Sequence, residues 1–287
     1  MAFPLGVMSV FAALIIWSAL AVYGVLRGKF IPAILFGVAL MLALNIGYVV
    51  NGPVASIANF IGIYDVLINL GLSDASAAAA VMACPENACT VWGETYEAHP
   101  AWGVAFYDRF ANGSDMRSAL LMGHIVCNSI VFVLMHVQFF YPGGRSKNHA
   151  VLGRISFAIL TLGVGCATIL ASQHGSVEEY GGSLAAWGFF SMSAFVYASA
   201  IMGVVAIRGG DAERHRIWMW RFLGSMWGSF WLFRVLLFVI DPLFRNMEAV
   251  AILTCIWASA PAGILIAEFI RRRVDAGKRA NAPIAAE

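Results

Sequence analysis

The feature that most constrains this chain is a series of long apolar runs. There are six such runs, together with a seventh, 217–240, that is interrupted by Arg221 and Arg234. The six cover 4–26, 31–50, 118–141, 150–172, 184–207 and 248–270. Each approaches or exceeds the roughly 20 residues that a helix needs to cross a hydrocarbon core about 30 Å thick. Since backbone groups find no water there, each run is expected to be a helix.

Composition agrees with a membrane protein. Hydrophobic residues make up 61% of the chain and charged residues 12%, with a net charge of +2. Soluble domains usually carry about 25% charged residues, so most of this chain is expected to face the lipid bilayer or other helices. So small a net charge gives no reason to expect nucleic-acid binding. The first run is expected to be a retained helix, because no basic segment or cleavage site precedes it.

The basic residues predict an orientation. With the runs counted in chain order, they follow the first, third, fifth and seventh, which is 248–270. These residues are Arg27, Lys29, Arg145, Lys147, Arg208, Arg214, Arg216, Arg271, Arg272, Arg273, Lys278 and Arg279. Short cytoplasmic loops collect Lys and Arg, so all of them share one side only if seven spans start from an outside N-terminus. The prediction is an all-α, multi-pass protein of a bacterial inner membrane, built around a four-helix core, with a cytoplasmic C-terminus.

This topology divides the chain into five parts. Residues 1–50 form two transmembrane helices, and 51–117 form a periplasmic loop. Residues 118–240 form the four-helix membrane core, 241–273 the last transmembrane helix, and 274–287 a disordered tail.

The periplasmic loop carries three features. Apolar residues repeat at helical spacing over 57–68, which predicts a helix lying at the membrane interface or capping the bundle. Cys84 and Cys89 would form a disulfide in an oxidising compartment, but free thiols or a metal site with His99 stay open. The loop also holds a set of aromatic residues that form either a packed minicore or a docking surface for a membrane-complex partner: Trp92, Tyr96, Trp102, Phe106 and Tyr107. Cys127, Cys166 and Cys255 are expected to fill core space.

Ionisable residues inside the spans are functional candidates, because burying them in lipid is costly. Counting the helical rise places them in two layers. The outer layer holds His124 and Arg234. The inner layer comprises His136, Arg154 and Arg221, rimmed by Arg145, His149, His215 and Arg216. Neither layer has a carboxylate at matching depth in this interpretation.

Buried guanidinium groups need partners, and two kinds are considered. Helix carbonyls, loop acids such as Asp241 and lipid phosphates form the structural alternative. The functional alternative is a bound redox cofactor. Heme b would use His124 and His136 as iron ligands and arginine for its propionates. Their 12-residue spacing, however, puts these two on different helix faces, and His174 lies past the membrane edge.

Quinone binding requires less exact geometry than heme. A quinone headgroup would be held by His136, Gln138 or Arg154, and a proton relay through histidine is a further variant.

Two strings within 119–240 resemble a known family. His149-Ala-Val-Leu-Gly-Arg154 and His215-Arg-Ile-Trp-Met-Trp-Arg221, with His124, Gln138 and Arg234, are similar to the bacterial membrane proteins called domain of unknown function family 2306. The resemblance implies a four-helix core with polar positions at the residues His124, Gln138, His149, Arg154, His215, Arg216, Arg221 and Arg234. It implies no activity.

Three functions therefore stand after the sequence alone. The first is a redox membrane protein that binds heme b or quinone and takes part in electron transport. The second is a transporter or lipid-handling protein for an anionic small molecule. The third is an accessory or assembly subunit of a larger membrane complex. A hydrolase is not expected, since the sequence contains no nucleophile elbow or zinc-hydrolase motif. Whether the protein is an enzyme of another kind stays open.

Overall fold

The computed structural model describes residues 5–69, 114–140, 146–173, 182–236 and 248–280. This part of the chain is all-helical. Its seven α-helices are α1 (Leu5–Arg27), α2 (Ile31–Asn69), α3 (Asp115–Phe140), α4 (Lys147–Ser172), α5 (Gly182–Arg208), α6 (Ala212–Trp227) and α7 (Glu248–Ala280). A π-helical segment, Gly228–Leu232, continues α6.

Five of these helices are long and apolar enough to cross a membrane. The qualifying stretches are Ile31–Gly52, Asp115–Phe140, Lys147–Ser172, Ser183–Arg208 and Leu253–Gly277. Helix α1 adds a shorter apolar stretch, Ala12–Arg27. Large apolar side chains such as Leu26, Leu162 and Leu265 are exposed on the outside of the bundle. Exposed apolar surface on this scale is typical of a lipid-facing protein.

Helix α2 changes direction at Gly52. This residue has a φ of 79° and a ψ of 167°, which ends the first helical stretch of α2 and starts the second. A side chain would be strained at this φ, so glycine suits the position. The backbone of 57–68, where a helix was predicted, is helical within the second stretch.

Helix α6 lies at the centre of the bundle. Five consecutive residues, 222–226, are buried, and with 3.6 residues per turn they point in every direction around the helix. The core joins α6 to each of α1 to α5 through buried residues that include Leu14, Met41, Phe132, Leu160, Val196, Met226 and Trp231. A helix surrounded by protein can carry more polar residues than a lipid-facing one, which is why α6 accommodates Arg221 and its continuation beyond the π-helical segment accommodates Arg234.

Small residues bring α6 and α7 into backbone contact. A Cβ atom at Gly224 would lie against the carbonyl oxygen of Gly263, and one at Gly228 would lie against that of Ser259. Gly224 and Gly228 form a GxxxG pair, the spacing that lets two membrane helices approach closely. This contact holds the end of α6 and the first residue of the π-helical segment against α7.

Helix α7 is longer than the predicted transmembrane helix. It extends to Ala280, so residues 274–280, expected in a disordered tail, are helical. Residues 281–287 lie outside the described residues. The extra turns carry Asp275, which forms ion pairs with residues of α6 and α7.

Candidate functional site

One layer of the bundle groups polar side chains from α2, from α3 and from the helical turn that follows the π-helical segment. His124 of α3 lies within electrostatic range of Arg234, which follows the π-helical segment. Arg234 is also within electrostatic range of Tyr48 on α2, whose side chain is only 8% exposed. Asn128, one turn from His124, is 6% exposed. These four residues form what is called here the His124 layer.

The hydrogen bonds of His124 define its tautomer. Asn128 Nδ2 lies 2.8 Å from His124 Nδ1, whereas the carbonyl oxygen of Gly163 lies 3.4 Å away from the same nitrogen. The shorter contact has normal hydrogen-bond length and the longer one does not. With the amide donating, Nδ1 is the acceptor and the ring proton sits on Nε2. Within the described part of the chain, Asn128 Oδ1 has no hydrogen-bond partner.

Arg234 is positioned by the π-helical segment. In that segment the N–H of Phe233 donates to the carbonyl of Gly228, five residues back. The guanidinium Nη1 of Arg234 donates to the carbonyl of Phe230 on its own helix. No carboxylate among residues 5–69, 114–140, 146–173, 182–236 and 248–280 forms an ion pair with Arg234. Asp241 and His174, both weighed from sequence, lie outside these ranges.

His136 is enclosed in an aromatic cluster. Its Nδ1 lies 2.6 Å from the carbonyl oxygen of Phe132, and its Nε2 lies 3.0 Å from the indole nitrogen of Trp227. An indole N–H can only donate, so Nε2 accepts and the ring proton lies on Nδ1. Both ring nitrogens are therefore engaged. The side chain is 7% exposed.

Tryptophan rings pack beside His136. The rings of Trp17 and Trp227 stack with centroids 6.0 Å apart, and those of Trp17 and Trp231 with centroids 5.4 Å apart. Gly37 makes room for them, because a Cβ atom there would lie 2.6 Å from both Trp17 and Trp227. Trp231 donates to the carbonyl of Gly37 over 3.1 Å. This part of the bundle is a packed core.

Two acids of α7 neutralise arginines that sequence analysis left without a carboxylate. Asp275 accepts two hydrogen bonds of 2.9 Å from Arg216, and Glu268 lies 3.9 Å from Arg221. Arg271 joins the two acids at 2.6 Å and 2.8 Å. The expectation that the inner layer lacks carboxylates is therefore wrong. Glu268 lies within the predicted last transmembrane helix, 241–273, and Asp275 lies in the predicted tail, 274–287.

Glu213 completes this group, called here the α7 ion cluster: Glu213, Arg216, Arg221, Glu268, Arg271 and Asp275. The hydrogen bond from Arg216 lowers the pKa of the Glu213 carboxyl below its ordinary value. The hydrogen bonds to Glu213 and Asp275 raise the pKa of the Arg216 guanidinium. Arg221 also lies over the Trp218 ring, 4.5 Å from its centroid. The cluster ties the start of α6 to the end of α7.

Four other predicted site residues lie near the start of α4. Gln138 donates to the hydroxyl of Ser156 over 2.9 Å. The His149 and His215 rings are perpendicular with centroids 6.5 Å apart, and His215 Nδ1 lies 2.8 Å from the carbonyl oxygen of Gly203. Arg154 is exposed on the outer face of α4. The structure thus separates Arg154 from His136, with which it was grouped by depth.

The arrangement does not fit heme held by His136. Iron ligation needs a nitrogen lone pair, and the lone pair on Nε2 already accepts from Trp227. Aromatic rings occupy the space around the imidazole, with the Phe132 centroid at 4.6 Å and the Trp227 centroid at 5.6 Å. His136 therefore presents no free lone pair in this arrangement.

The structure describes three of the five cysteines. Cys127 and Cys166 are free thiols inside helices, and Cys255 is buried in α7. The predicted Cys84–Cys89 disulfide and the aromatic set of the loop lie outside the described residues. In the part of the chain that the structure covers, no group of three or more His, Cys, Asp or Glu side chains is arranged to hold a metal ion.

No family model, curated protein or solved structure matches this chain.

Proposed function

We propose that the protein is a seven-span integral protein of a bacterial inner membrane, with its N-terminus outside. Five long apolar helices support an integral membrane protein. Helix α1 and the central helix α6 would supply the other two spans. The ends of α1, α5 and α7 and the starts of α4 and α6 carry exposed or paired cations, as the positive-inside rule requires of one cytoplasmic side.

Within this frame, the protein is proposed to bind the headgroup of a lipophilic quinone in the His124 layer. One observation carries the proposal. Arg234 and His124, on different helices, lie within electrostatic range, and Arg234 has no acid partner in the described ranges. Two neighbouring donors without an anion between them favour a ligand with acceptor oxygens.

The chemistry of the layer favours a carbonyl ligand. Arg234 and the Nε2–H of His124 are hydrogen-bond donors, and Tyr48 supplies a hydroxyl at the same level. A quinone carbonyl accepts such bonds without bringing a net charge into the bundle, whereas an anion would have to be desolvated first. The surrounding helices are apolar, which suits an isoprenoid tail. This places the ligand differently from the expected quinone site at His136, Gln138 and Arg154.

An anionic small molecule is the second candidate. The same unpaired charge on Arg234 favours it, because a carboxylate would neutralise the guanidinium directly. Comparing the binding of a neutral quinone with the binding of a carboxylate distinguishes the two candidates.

Fluorescence titration tests the proposal. Purified protein in detergent is titrated with a fully substituted short-chain benzoquinone, and quenching of tryptophan emission is followed. Wild type is expected to saturate, and Arg234→Gln to bind about tenfold or more weakly, as expected for one lost charge-assisted hydrogen bond. Arg117→Gln is the matched control, since Arg117 lies on α3 and donates to Gln173 over 3.1 Å.

Two outcomes of the titration would count against the proposed quinone site. Equal affinity in wild type and Arg234→Gln contradicts the proposed site. Saturation by a short aliphatic carboxylate and not by the benzoquinone favours the anionic ligand instead.

A further inference from the structure

The outer face of α4 combines an apolar stripe with two cations. Val151, Ile155 and Leu162 are exposed there, the last by 65%. Lys147 and Arg154 are exposed on the same helix. Seven residues separate these two cations, which is nearly two full turns, so they lie on one face about 10 Å apart along the axis. Arg154 therefore sits within an apolar surface rather than at its edge.

Arg154 has no partner that would neutralise it among the residues that the structure describes. None of the carboxylates in the described ranges forms an ion pair with Arg154 or Lys147. Ser156, two residues further along α4, accepts a hydrogen bond from Gln138. A guanidinium on a lipid-facing surface two turns inside a membrane helix is costly unless an anion or water reaches it.

Helix geometry directs the Arg154 side chain toward the start of α4. The Cα–Cβ bonds of a helix tilt toward its N-terminus, so the long side chain of Arg154 extends toward the turn that carries Lys147. Lipid-facing arginines reach the interface in this way. The Arg154 guanidinium then lies closer to the start of α4 than its own Cα atom does, while Ile155 and Leu162 lie deeper, where acyl chains run.

From this pattern we propose that Lys147 and Arg154 bind the headgroup of one anionic phospholipid, whose acyl chain lies along Val151, Ile155 and Leu162. Charge complementarity selects the headgroup, and the continuous apolar stripe selects a lipid over a soluble anion. The site is separate from the His124 layer and does not depend on the proposed function.

Lipid binding is measured by native mass spectrometry of the full-length protein in detergent. Phosphatidylglycerol and phosphatidylcholine are added at equal concentrations in separate experiments. Wild type is expected to bind one phosphatidylglycerol at least about tenfold more tightly than phosphatidylcholine. Arg154→Gln should abolish this preference, and Arg154→Lys should retain most of it.

Arg27→Gln is the matched control, because Arg27 is another exposed cation beside an exposed leucine, at the end of α1. It should leave the preference unchanged. Since Arg154 is exposed, its glutamine variant is expected to fold, and its melting temperature without added lipid checks this.

Three results would overturn the inference. The first is equal affinity of wild type for the two lipids. The second is an unchanged preference in Arg154→Gln. The third is binding of inorganic phosphate as tight as that of phosphatidylglycerol, which would identify a soluble anion as the ligand.

Discussion

The indole N–H of Trp227 donates to Nε2 of His136 across the contact between α6 and α3, over 3.0 Å. The other ring nitrogen of His136 binds the carbonyl of Phe132 in its own helix. This pair turns a histidine that looks like a metal ligand in the sequence into a buried structural residue. Within the described part of the chain, by contrast, Arg234 forms no ion pair with a carboxylate, and this difference directs the quinone proposal to the His124 layer.

Trp227→Phe is expected to destabilise the protein. The change leaves the buried His136 Nε2 lone pair without a donor, which costs about 1–3 kcal/mol. The midpoint of thermal unfolding in detergent measures the effect. Trp187→Phe is the control, because the Trp187 side chain is 65% exposed and should tolerate the change with little loss. Equal losses in the two variants would contradict a structural role for the indole bond.

His136→Leu is expected to leave the visible absorption of the purified protein unchanged. Because both imidazole nitrogens are engaged, His136 has no lone pair for heme iron. Protein from heme-supplemented cells is examined for a Soret band per chain, in wild type and in the variant. A band present in wild type and lost in His136→Leu would show that the Trp227 bond gives way to iron.

Gly224→Ala is expected to separate α6 from α7. The new Cβ atom would lie against the backbone carbonyl of Gly263, which cannot rotate away. Overpacking of this kind costs about 1–3 kcal/mol. Gly165→Ala is the control, since nothing lies within 4 Å of a Cβ atom there. Its melting temperature should stay the same or rise, because alanine favours helix over glycine by about 1 kcal/mol.

The α7 ion cluster is expected to weaken in acid through Glu213. Its folded pKa lies below the ordinary value near 4.5, because Arg216 donates to it. A carboxyl group whose pKa is lower in the folded state stabilises the fold when the pH is above its ordinary, unfolded-state pKa. This stabilisation is lost as the pH falls through the folded-state pKa. Melting temperatures of wild type and Glu213→Gln should therefore differ at pH 7 and converge as the pH falls well below 4.5. A difference that persists in acid would rule out this carboxyl as the cause.

Sequence periodicity predicts much of the fold and less of the site. The apolar runs predict each of the described helices, because apolar length is a strong signal for membrane helices. The same runs place His124 and Arg234 at one depth, and the structure brings these two into electrostatic range. Depth alone, however, also groups Arg154 with His136, since the number of residues from a boundary does not say which way a side chain faces.

The partners of the arginines were harder to predict. Asp275 follows the last apolar run, in a segment rich in charge and alanine whose composition resembles that of a disordered tail. Its pairing with Arg216 spans 59 residues and depends on how α6 and α7 cross. The spacing of Glu268, Arg271, Arg272 and Asp275 at three and four residues is a helical signal that would have extended α7.

The central claim is that the His124 layer holds a quinone. The most direct measurement is organic extraction of protein purified from its membrane, with the co-purified quinone quantified per chain. Wild type and Arg117→Gln should carry similar amounts, and Arg234→Gln and His124→Leu should carry at least about tenfold less. Equal quinone content in all four proteins, or none in wild type, would contradict the claim.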